Sequence, residues 1–242
     1  MKYNSHLQNI TEDFKKNKLE EYFKLMNFPR FVDRRDIAKL LNRYEIFKKQ
    51  LNVHGSILEC GVNLGSGLFS WLHFSSILEP YNTSRLIFGF DTFEGFKSLS
   101  KTKDDKGIYL SKKKFKKFND NLLKDNIEKS INIHNSNRPI NQINKIYLYK
   151  GDVTKTFPKF LKDNPQLMIS LLHIDLDIYK PTKKVLELAK KRLVKGSIIA
   201  FDDLNAKEGP GETLALIETL GLKKYRIQRN NFDSFLSYIV ID

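Results

Sequence analysis

The sequence predicts an α/β fold in which a mostly parallel sheet carries helices on both faces and closes with an antiparallel hairpin. Short apolar runs alternate with segments of helical periodicity along most of the chain, which is typical of βαβ units. Several runs end in an acid or a glycine, as expected where parallel strands open onto a ligand site. The last two runs, at 225–229 and 234–242, are separated only by the turn Asn-Asn-Phe-Asp, which predicts the hairpin.

The 242 residues are predicted to form a single domain, residues 1–242. Because 40% of them are hydrophobic and no linker-like stretch interrupts the pattern, one core is expected. Residues 1–52 are predicted to cover the sheet as an N-terminal helical segment, with amphipathic helices at Leu7–Met26 and Arg34–Gln50, each of which has an apolar stripe that is expected to face the protein interior.

A long segment, residues 97–144, interrupts the alternation of strands and helices and is rich in lysine and asparagine. It is predicted to form a lid insertion beside the ligand site, with a helix around Phe115–Ile127. A solvated excursion without a role in binding is the alternative interpretation.

The net charge of +14 favours an anionic substrate, but lysine is spread along the whole chain and carries little weight on its own. Basic and aromatic residues are not regularly interleaved, which argues against a nucleic-acid groove. No stretch reaches the roughly 18 apolar residues of a membrane helix, and no apolar run resembles a signal peptide. The single cysteine, Cys60, excludes an intramolecular disulfide. A cytoplasmic protein without a membrane segment is expected.

The first predicted strand, Ser56–Cys60, runs into a glycine-rich turn, Gly61 to Gly67, and then into a helix. Strand, glycine-rich turn and helix together predict a nucleotide-binding opening. The glycine spacing differs from that of dinucleotide folds. Glu59 would repel a pyrophosphate and suits a ligand with an amine or a sulfonium, which favours S-adenosylmethionine over NAD.

Two further strands deliver acids to the same edge of the predicted sheet. The second strand ends at Asp91, about thirty residues after the first, where nucleotide-binding folds hold the ribose hydroxyls. A helix cap is the alternative role for this residue. The third strand, Lys145–Asp152, brings Asp152 to the edge, where it is expected near an adenine amino group.

The strongest signal is a strand, a helix and a second strand between Met168 and Asp203, with the helix predicted at Pro181–Gly196 and the second strand at Ser197–Asp203. Parallel strands joined by a helical crossover end at the same edge of a sheet, so the acids that follow them converge: Asp175, Asp177, Asp202 and Asp203. A cluster of carboxylates alone favours Mg²⁺, Mn²⁺ or Ca²⁺ over zinc. Helix capping and pairing with surface lysines are the alternative roles.

Five motifs, in this order, resemble the macrocin-type sugar O-methyltransferase family: ECGVNLGSG, FGFDTFEGF, KGDV, LLHIDLDIYKPT and AFDDL. The resemblance spans about Phe31 to Asp242, and its last two motifs are the most specific. It implies a Rossmann-like class I methyltransferase fold with a mostly parallel seven-stranded sheet. It also implies S-adenosylmethionine as methyl donor and Mg²⁺, or Mn²⁺, as metal.

The resemblance also implies roles for individual residues. The cofactor contacts would come from Glu59, Gly61, Ser66, Asp91, Thr92, Asp152 and Val153. The metal ligands would be Asp175, Asp202 and Asp203. Two positions depart from the family pattern, because Gly67 stands where serine is common and Lys180 where an acid is common. Ser66 can replace the missing hydroxyl, and Lys180 lies where it could alter which sugar is accepted.

The expected reaction is Mg²⁺-dependent methyl transfer to the hydroxyl of a small, anionic sugar, nucleotide-linked or a glycan precursor. Asp175 or Asp177 would accept the proton, with Asp175 favoured because it ends the apolar run most directly. His173 is expected to be a core residue. The sequence does not define the oligomeric state, and a homo-oligomer is one of the states that it allows.

Two other classes of function remain as alternatives at this point. Asp175-Leu-Asp177 could be the DxD motif of a metal-dependent glycosyltransferase. The basic composition could belong to a nucleic-acid-binding protein without catalysis.

Overall fold

A seven-stranded mixed sheet forms the centre of this computed structural model, which describes residues 2–96 and 120–242. The strands are β1 (Ser56–Cys60), β2 (Ile87–Asp91), β3 (Ile146–Lys150), β4 (Ile169–Ile174), β5 (Leu193–Phe201), β6 (Gln228–Arg229) and β7 (Ser237–Val240). Their order is β3-β2-β1-β4-β5-β7-β6. The first five are parallel, and β7 is antiparallel to both β5 and β6. The predicted parallel sheet and its closing hairpin are confirmed.

Helices cover both faces of the sheet, as predicted. They are α1 (Lys2–Lys16), α2 (Glu21–Met26), a 3₁₀ turn (Phe28–Arg30), α3 (Arg34–Gln50), α4 (Ser66–Leu78), α5 (Asp120–Ser136), α6 (Val153–Asp163), α7 (Tyr179–Ala189) and α8 (Gly211–Thr219). One face packs against α3, α4 and α5, and the other against α6, α7 and α8. No helix within the described ranges is long and apolar enough to cross a membrane.

The core has one layer on each face of the sheet. Trp71 and Phe47 fill the layer under α3 and α4, and Phe157 and Phe160 fill the layer under α6. Because both faces are covered, the central strands are buried along their length and are mostly apolar on both sides. Each large apolar side chain that is fully buried in this core contributes about 1.5–3 kcal/mol to the free energy of unfolding.

The segment 7–26, predicted as one helix, is divided between α1 and α2. The break follows Asn17, whose side-chain oxygen accepts a hydrogen bond from the backbone N–H of Leu19 at 3.0 Å. Asparagine competes in this way with the helical hydrogen bonds of its own backbone. The prediction of a continuous helix is therefore wrong.

Helix α2 also exposes the face that the sequence pattern assigned to the protein interior. Tyr22 and Met26 are 64% and 62% exposed, whereas Lys24 is only 7% exposed. The Lys24 ammonium lies 5.0 Å from the centre of the Phe14 ring, so the buried side of α2 is held by a cation–π contact. The predicted apolar stripe is not a buried stripe in this segment.

Two boundaries in the second half of the chain differ from the prediction. The helix predicted to continue to Gly196 ends at Ala189, and β5 begins at Leu193 instead of Ser197. Gly196 has a φ of +86°, and the β4–β5 register shifts nearby, so the strand continues through an irregular stretch that lacks regular alternation.

The predicted lid insertion, 97–144, is described only in part. Residues 97–119 lie outside the described residues, and with them the first five residues of the predicted helix around Phe115–Ile127, whereas residues 120–127 are helical, in α5. Helix α5 follows them and packs on the sheet through Ile127, which is 4% exposed. Whether the insertion acts as a lid stays a prediction.

Arg85 joins several elements at the amino-terminal edge of the sheet, opposite the predicted site. Its side chain is 3% exposed and donates hydrogen bonds to the carbonyl oxygens of Leu51, Val53 and Gly55 at 2.9–3.0 Å. The guanidinium also pairs with Glu79 at 2.8 Å. A buried guanidinium with this many partners stabilises the loop that connects α3 to β1.

Candidate active site

A cavity opens at the carboxyl-terminal edge of the sheet and extends over β3, β2, β1 and β4. Seven of the predicted site residues line it: Gly61, Asp91, Thr92, Asp152, Val153, Asp175 and Asp177. The other four predicted residues lie outside its lining: Glu59, Ser66, Asp202 and Asp203. The strand ends therefore bring most of the predicted cofactor residues together with both candidate proton acceptors.

Gly61 forms the floor of the cavity where β1 meets the end of β4. Its φ is +98°, and a Cβ at this position would lie 1.8 Å from the carbonyl oxygen of Asp175. Only glycine can occupy this position without moving the backbone of β4. A ligand over Gly61 thus lies directly beside the loop that carries Asp175.

Asp91 fixes the turns on both sides of the cavity entrance. Its two carboxylate oxygens accept hydrogen bonds from the backbone N–H of Asn63, at 2.8 Å, and of Phe93, at 2.7 Å. Burial raises the pKa of Asp91, and these hydrogen bonds oppose that rise. Each carboxylate oxygen has a second lone pair, so the side chain can still accept the ribose hydroxyls assigned to it.

Asp152 and Thr92 each support a turn of the cavity wall. Asp152 is the N-cap of α6, since its carboxylate accepts from the backbone N–H of Thr154 at 2.9 Å and from its hydroxyl at 2.7 Å. The hydroxyl of Thr92 donates to the carbonyl oxygen of Gly95 at 2.7 Å. A cofactor contact from either residue stays a prediction.

Glu59 lies beneath the cavity rather than in it. The side chain is 1% exposed, and its carboxylate is 2.4 Å from the position that a Gly67 Cβ would take. Its other oxygen is 3.8 Å from Nδ1 of His173, a fully buried residue whose ring contacts Trp71. Glu59 is therefore a buried charge under the first turn of α4, and His173 is a core residue.

Ser66 begins α4 and is exposed to solvent. Its hydroxyl oxygen accepts a hydrogen bond from the guanidinium of Arg43 at 3.1 Å. Arg43 belongs to α3 and is only 6% exposed. Although Ser66 does not line the cavity, it occupies the end of the glycine turn that begins at Gly61.

The acids after β4 and β5 form one electrostatic cluster. Burial raises the pKa of Asp175 well above its ordinary value, and the charges of Asp202 and Asp177 add to the rise. Burial also raises the pKa of Asp177 to about 7, together with a hydrogen bond to the Asp203 side chain. Burial raises the pKa of Asp203, and the positive charge of Lys39 partly offsets this rise. Negative charge is in excess at this end of the cavity.

The predicted metal ligands, Asp175, Asp202 and Asp203, do not form a completed metal centre. Within residues 2–96 and 120–242, no group of three or more His, Cys, Asp or Glu side chains is arranged to hold a metal ion. The chemistry of the donors nevertheless fits a hard divalent cation, because they are carboxylates with excess negative charge.

Glu212 is a buried acid of the same cluster that the sequence interpretation did not assign to the site. It is fully buried and accepts hydrogen bonds from the backbone N–H groups of Leu176 (2.9 Å), Asp177 (3.2 Å) and Asp203 (3.4 Å). Burial raises its pKa well above the ordinary value. The available signal was an acid in the first turn of the helix after Pro210, a position that the helix dipole alone already favours for a carboxylate.

The strand order and the site together define a class I methyltransferase. The sheet has five parallel strands and an antiparallel hairpin, a glycine turn after β1 and an acid at the end of β2, and the cavity connects all of these to the acids after β4. The family model described as macrocin-O-methyltransferase (TylF) matches residues 31–218. The chain belongs to this family.

Solved structures agree with this assignment. The crystal structure of CalS11, a calicheamicin methyltransferase, is 31% identical, covers 98% of this chain and 91% of its own, and superposes with a TM-score of 0.93. The apo structure of CalS11, described as a TDP-rhamnose 3′-O-methyltransferase, is 29% identical over 98% and 93% of the two chains, with a TM-score of 0.84. The O-methyltransferase NovP, 15% identical over 85% and 80%, shares the fold with a TM-score of 0.61.

The family makes this protein an O-methyltransferase that depends on S-adenosylmethionine, which confirms the predicted class of enzyme and of cofactor. The alternatives of a glycosyltransferase and of a protein without catalysis are thereby set aside. A search of curated protein sequences finds no match.

Proposed function

We propose that the protein methylates a hydroxyl of a nucleotide-linked sugar, with a divalent cation bound at the acids after β4 and β5. The acceptor class is supported by the relative described as a TDP-rhamnose 3′-O-methyltransferase, which is 29% identical over nearly the whole chain. An anionic acceptor also agrees with the net charge of +14.

The observation that carries this proposal is the continuity of the cavity from Asp91 to Asp177. Its β2 and β3 end offers Asp91 for ribose hydroxyls, with Thr92, Asp152 and Val153 beside it for the adenine. Its β4 end offers carboxylates to a group that must lose a proton. Donor and acceptor would therefore meet over Gly61, where the two ends of the cavity join.

The transfer requires a base, because the pKa of a sugar hydroxyl lies far above neutral pH. Asp175 and Asp177 both line the cavity, and either can accept the proton as the oxygen attacks the methyl group. Partial burial keeps water from competing with the acceptor for this carboxylate. Glu212 holds the loop in which Asp177 lies.

A cation would be held by Asp175, Asp202 and Asp203, with Mg²⁺ as the first candidate and Mn²⁺ as the second. When bound, it supplies positive charge that stabilises the anionic form of the acceptor hydroxyl. Since the carboxylates are not gathered into a three-ligand group, we expect metal binding to change their side-chain rotamers.

Mass spectrometry of reactions with S-adenosylmethionine and a panel of nucleotide-linked sugars tests this proposal. We expect one sugar nucleotide to gain a single methyl group in the presence of Mg²⁺ and to remain unmodified in excess EDTA. Methylation that continues undiminished in EDTA would contradict the role of the metal. Methylation of free sugars or of phenols alone would contradict the acceptor class.

A further inference from the structure

Residues 2–33, the N-terminal arm, stand apart from the core of the protein. Among the described residues, none from 5 to 26 belongs to either core layer of the sheet. Helix α1 packs instead on the rest of the arm: the ring centres of Phe14 and Phe31 are 5.4 Å apart, edge to face, and Asp13 pairs with Arg30 at 3.6 Å. Contacts within the arm therefore fix the position of its helices.

Helix α2 carries its apolar side chains on one face, and that face is turned to solvent. Successive side chains are about 100° apart around a helix of 3.6 residues per turn, so positions 22, 23, 25 and 26 fall within an arc of about 160°. Lys24, the buried residue of α2, lies opposite the middle of this arc. Six large apolar side chains of the arm are 42–68% exposed: Leu19, Tyr22, Phe23, Leu25, Met26 and Phe28.

The size of this apolar surface matches one half of a small dimer interface. A large apolar side chain that is fully exposed offers about 200 Å² to a partner, so the six residues, at their exposed fractions, present on the order of 600 Å² per copy. This is the upper end of what a typical monomer exposes in one patch, about 300–600 Å². Two such surfaces in contact bury about 1,200 Å², which is the lower limit for specific, stable interfaces.

The charge of the arm favours a second copy of the chain over an anionic partner. The arm has six Lys or Arg and five Asp or Glu residues, so its net charge is +1, whereas the whole chain carries +14. An anionic membrane or a nucleic acid is attracted by positive charge, and this part of the chain offers almost none. Two copies, in contrast, repel each other least where they meet through a nearly neutral segment.

We infer that the apolar face of α2, extended by Leu19 and Phe28, is the surface through which two copies of this chain associate. A twofold arrangement brings the same face of each copy together, so the surface is its own partner. The interface does not depend on the proposed function, because none of the described residues of the arm lines the cavity.

Sedimentation velocity of the full chain over a range of protein concentrations tests the inference. We expect masses that are even multiples of the chain mass, and a dissociation constant that rises at least tenfold when Leu25→Gln and Met26→Gln are combined. Both substitutions keep good helix formers and the charge of α2. The control combines Ile77→Gln and Ile133→Gln, outside the arm, whose side chains are similarly exposed, at 71% and 67%. It should associate like wild type.

Salt distinguishes an apolar contact from an ionic one. Because two copies carry like charge outside the arm, screening should strengthen their association. We expect the dissociation constant to fall between about 0.1 M and 1 M NaCl, as the Debye length shortens from about 10 Å to 3 Å. A dissociation constant that rises steeply with salt would mean that ion pairs hold the copies together, which contradicts the inference.

Three further outcomes would overturn the inference. The first is a wild type that is monomeric at every concentration, and the second is an equal loss of association in the control variant. The third is a monomeric wild type that sediments with vesicles of phosphatidylcholine and phosphatidylglycerol and loses this binding in the double variant, which would make the face a membrane contact. If the double variant does not fold, as judged by circular dichroism, Tyr22→Gln alters the same face and should weaken association at least threefold.

Discussion

Glu212 accepts a hydrogen bond from the backbone N–H of Asp177, a residue 35 positions earlier in the chain, at 3.2 Å. Asp177 has a φ of +58°, a left-handed conformation that is rare for a residue with a side chain. The same carboxylate accepts from Leu176 and, at 3.4 Å, from Asp203. Glu212 thus fixes the conformation of the loop after β4 and ties it to the loop after β5.

Replacing Glu212 should loosen both acidic loops. We expect Glu212→Ala to lower the free energy of unfolding by about 2–4 kcal/mol, because it leaves buried N–H groups without an acceptor at about 1–3 kcal/mol each. Glu212→Gln keeps one acceptor oxygen and should lose less stability. Chemical denaturation measures both, with Glu208→Gln, an exposed neighbour, as the control. If Glu212→Ala were as stable as wild type, the carboxylate would not hold these loops.

Neutralising the acids after β5 should separate catalysis from cofactor binding. We expect Asp202→Asn with Asp203→Asn to abolish methyl transfer and to leave S-adenosylhomocysteine affinity within about twofold of wild type. In EDTA the melting temperature should rise slightly, since fewer like charges repel one another. Activity assays, calorimetry and melting curves test this, with the exposed pair Asp163→Asn and Glu187→Gln as matched control. An active double variant would remove both acids from the metal site.

Asp91 should contribute to both cofactor binding and stability. Loss of charge-assisted hydrogen bonds to the ribose is expected to weaken S-adenosylmethionine binding by about 1.5–3 kcal/mol. Asp91→Ala should also destabilise the protein, because the N–H groups of Asn63 and Phe93 lose their acceptor. Asp91→Asn keeps an acceptor and should be the more stable variant. Unchanged cofactor affinity in both variants would exclude Asp91 from the ribose site.

Lys145 should make stability depend on pH in the alkaline range. It is 3% exposed, and burial, opposed by Glu79, lowers its pKa from 10.5 to about 8. Between these values the unfolded chain binds a proton that the folded chain does not. The free energy of unfolding therefore rises with pH from about 8 to 10.5, by at most about 1.4 kcal/mol per unit, and this dependence ends below pH 8.

The difference between wild type and Lys145→Met isolates this effect from other titrating groups. We expect the variant to be more stable below pH 8, and its advantage to shrink as the pH rises toward 10.5. Urea denaturation at several pH values measures it, with Lys159→Met, an exposed lysine, as control. A pH-independent difference would mean that Lys145 keeps an ordinary pKa in the folded protein.

The fold was predictable where short-range patterns and long-range packing agree. Helix α3 and strand β1 were predicted at their observed bounds, because each has a regular apolar pattern between clear end signals. The helix at 7–26 was wrong because the hydrogen bond of one asparagine side chain outweighs the periodicity around it. Such a local competition leaves no trace in the pattern of apolar residues.

The strand ends that form the site were predictable from the sequence, but the contacts that individual side chains make there were not. The acids at 91, 152 and 175 were expected at the edge because parallel strands end together, and they line the cavity. Glu59 was expected to contact the cofactor; it is 1% exposed and does not line the cavity, and a cofactor contact from it stays a prediction. Glu212 was missed because its partners are backbone N–H groups distant in sequence, and a sequence pattern carries no information on such partners.

The position of Arg85 shows that folding stability and the proposed reaction depend on opposite edges of the same sheet. Its hydrogen bonds hold the amino-terminal edge, whereas the residues assigned to the reaction lie at the opposite edge. Substitutions among the loops that face the acceptor therefore leave this anchor intact. Descendants of such a chain that keep Asp91 and Glu212, the acids that hold the loops of the opposite edge, can acquire new acceptor specificities through other changes at that edge, with little selection against them from loss of folded protein.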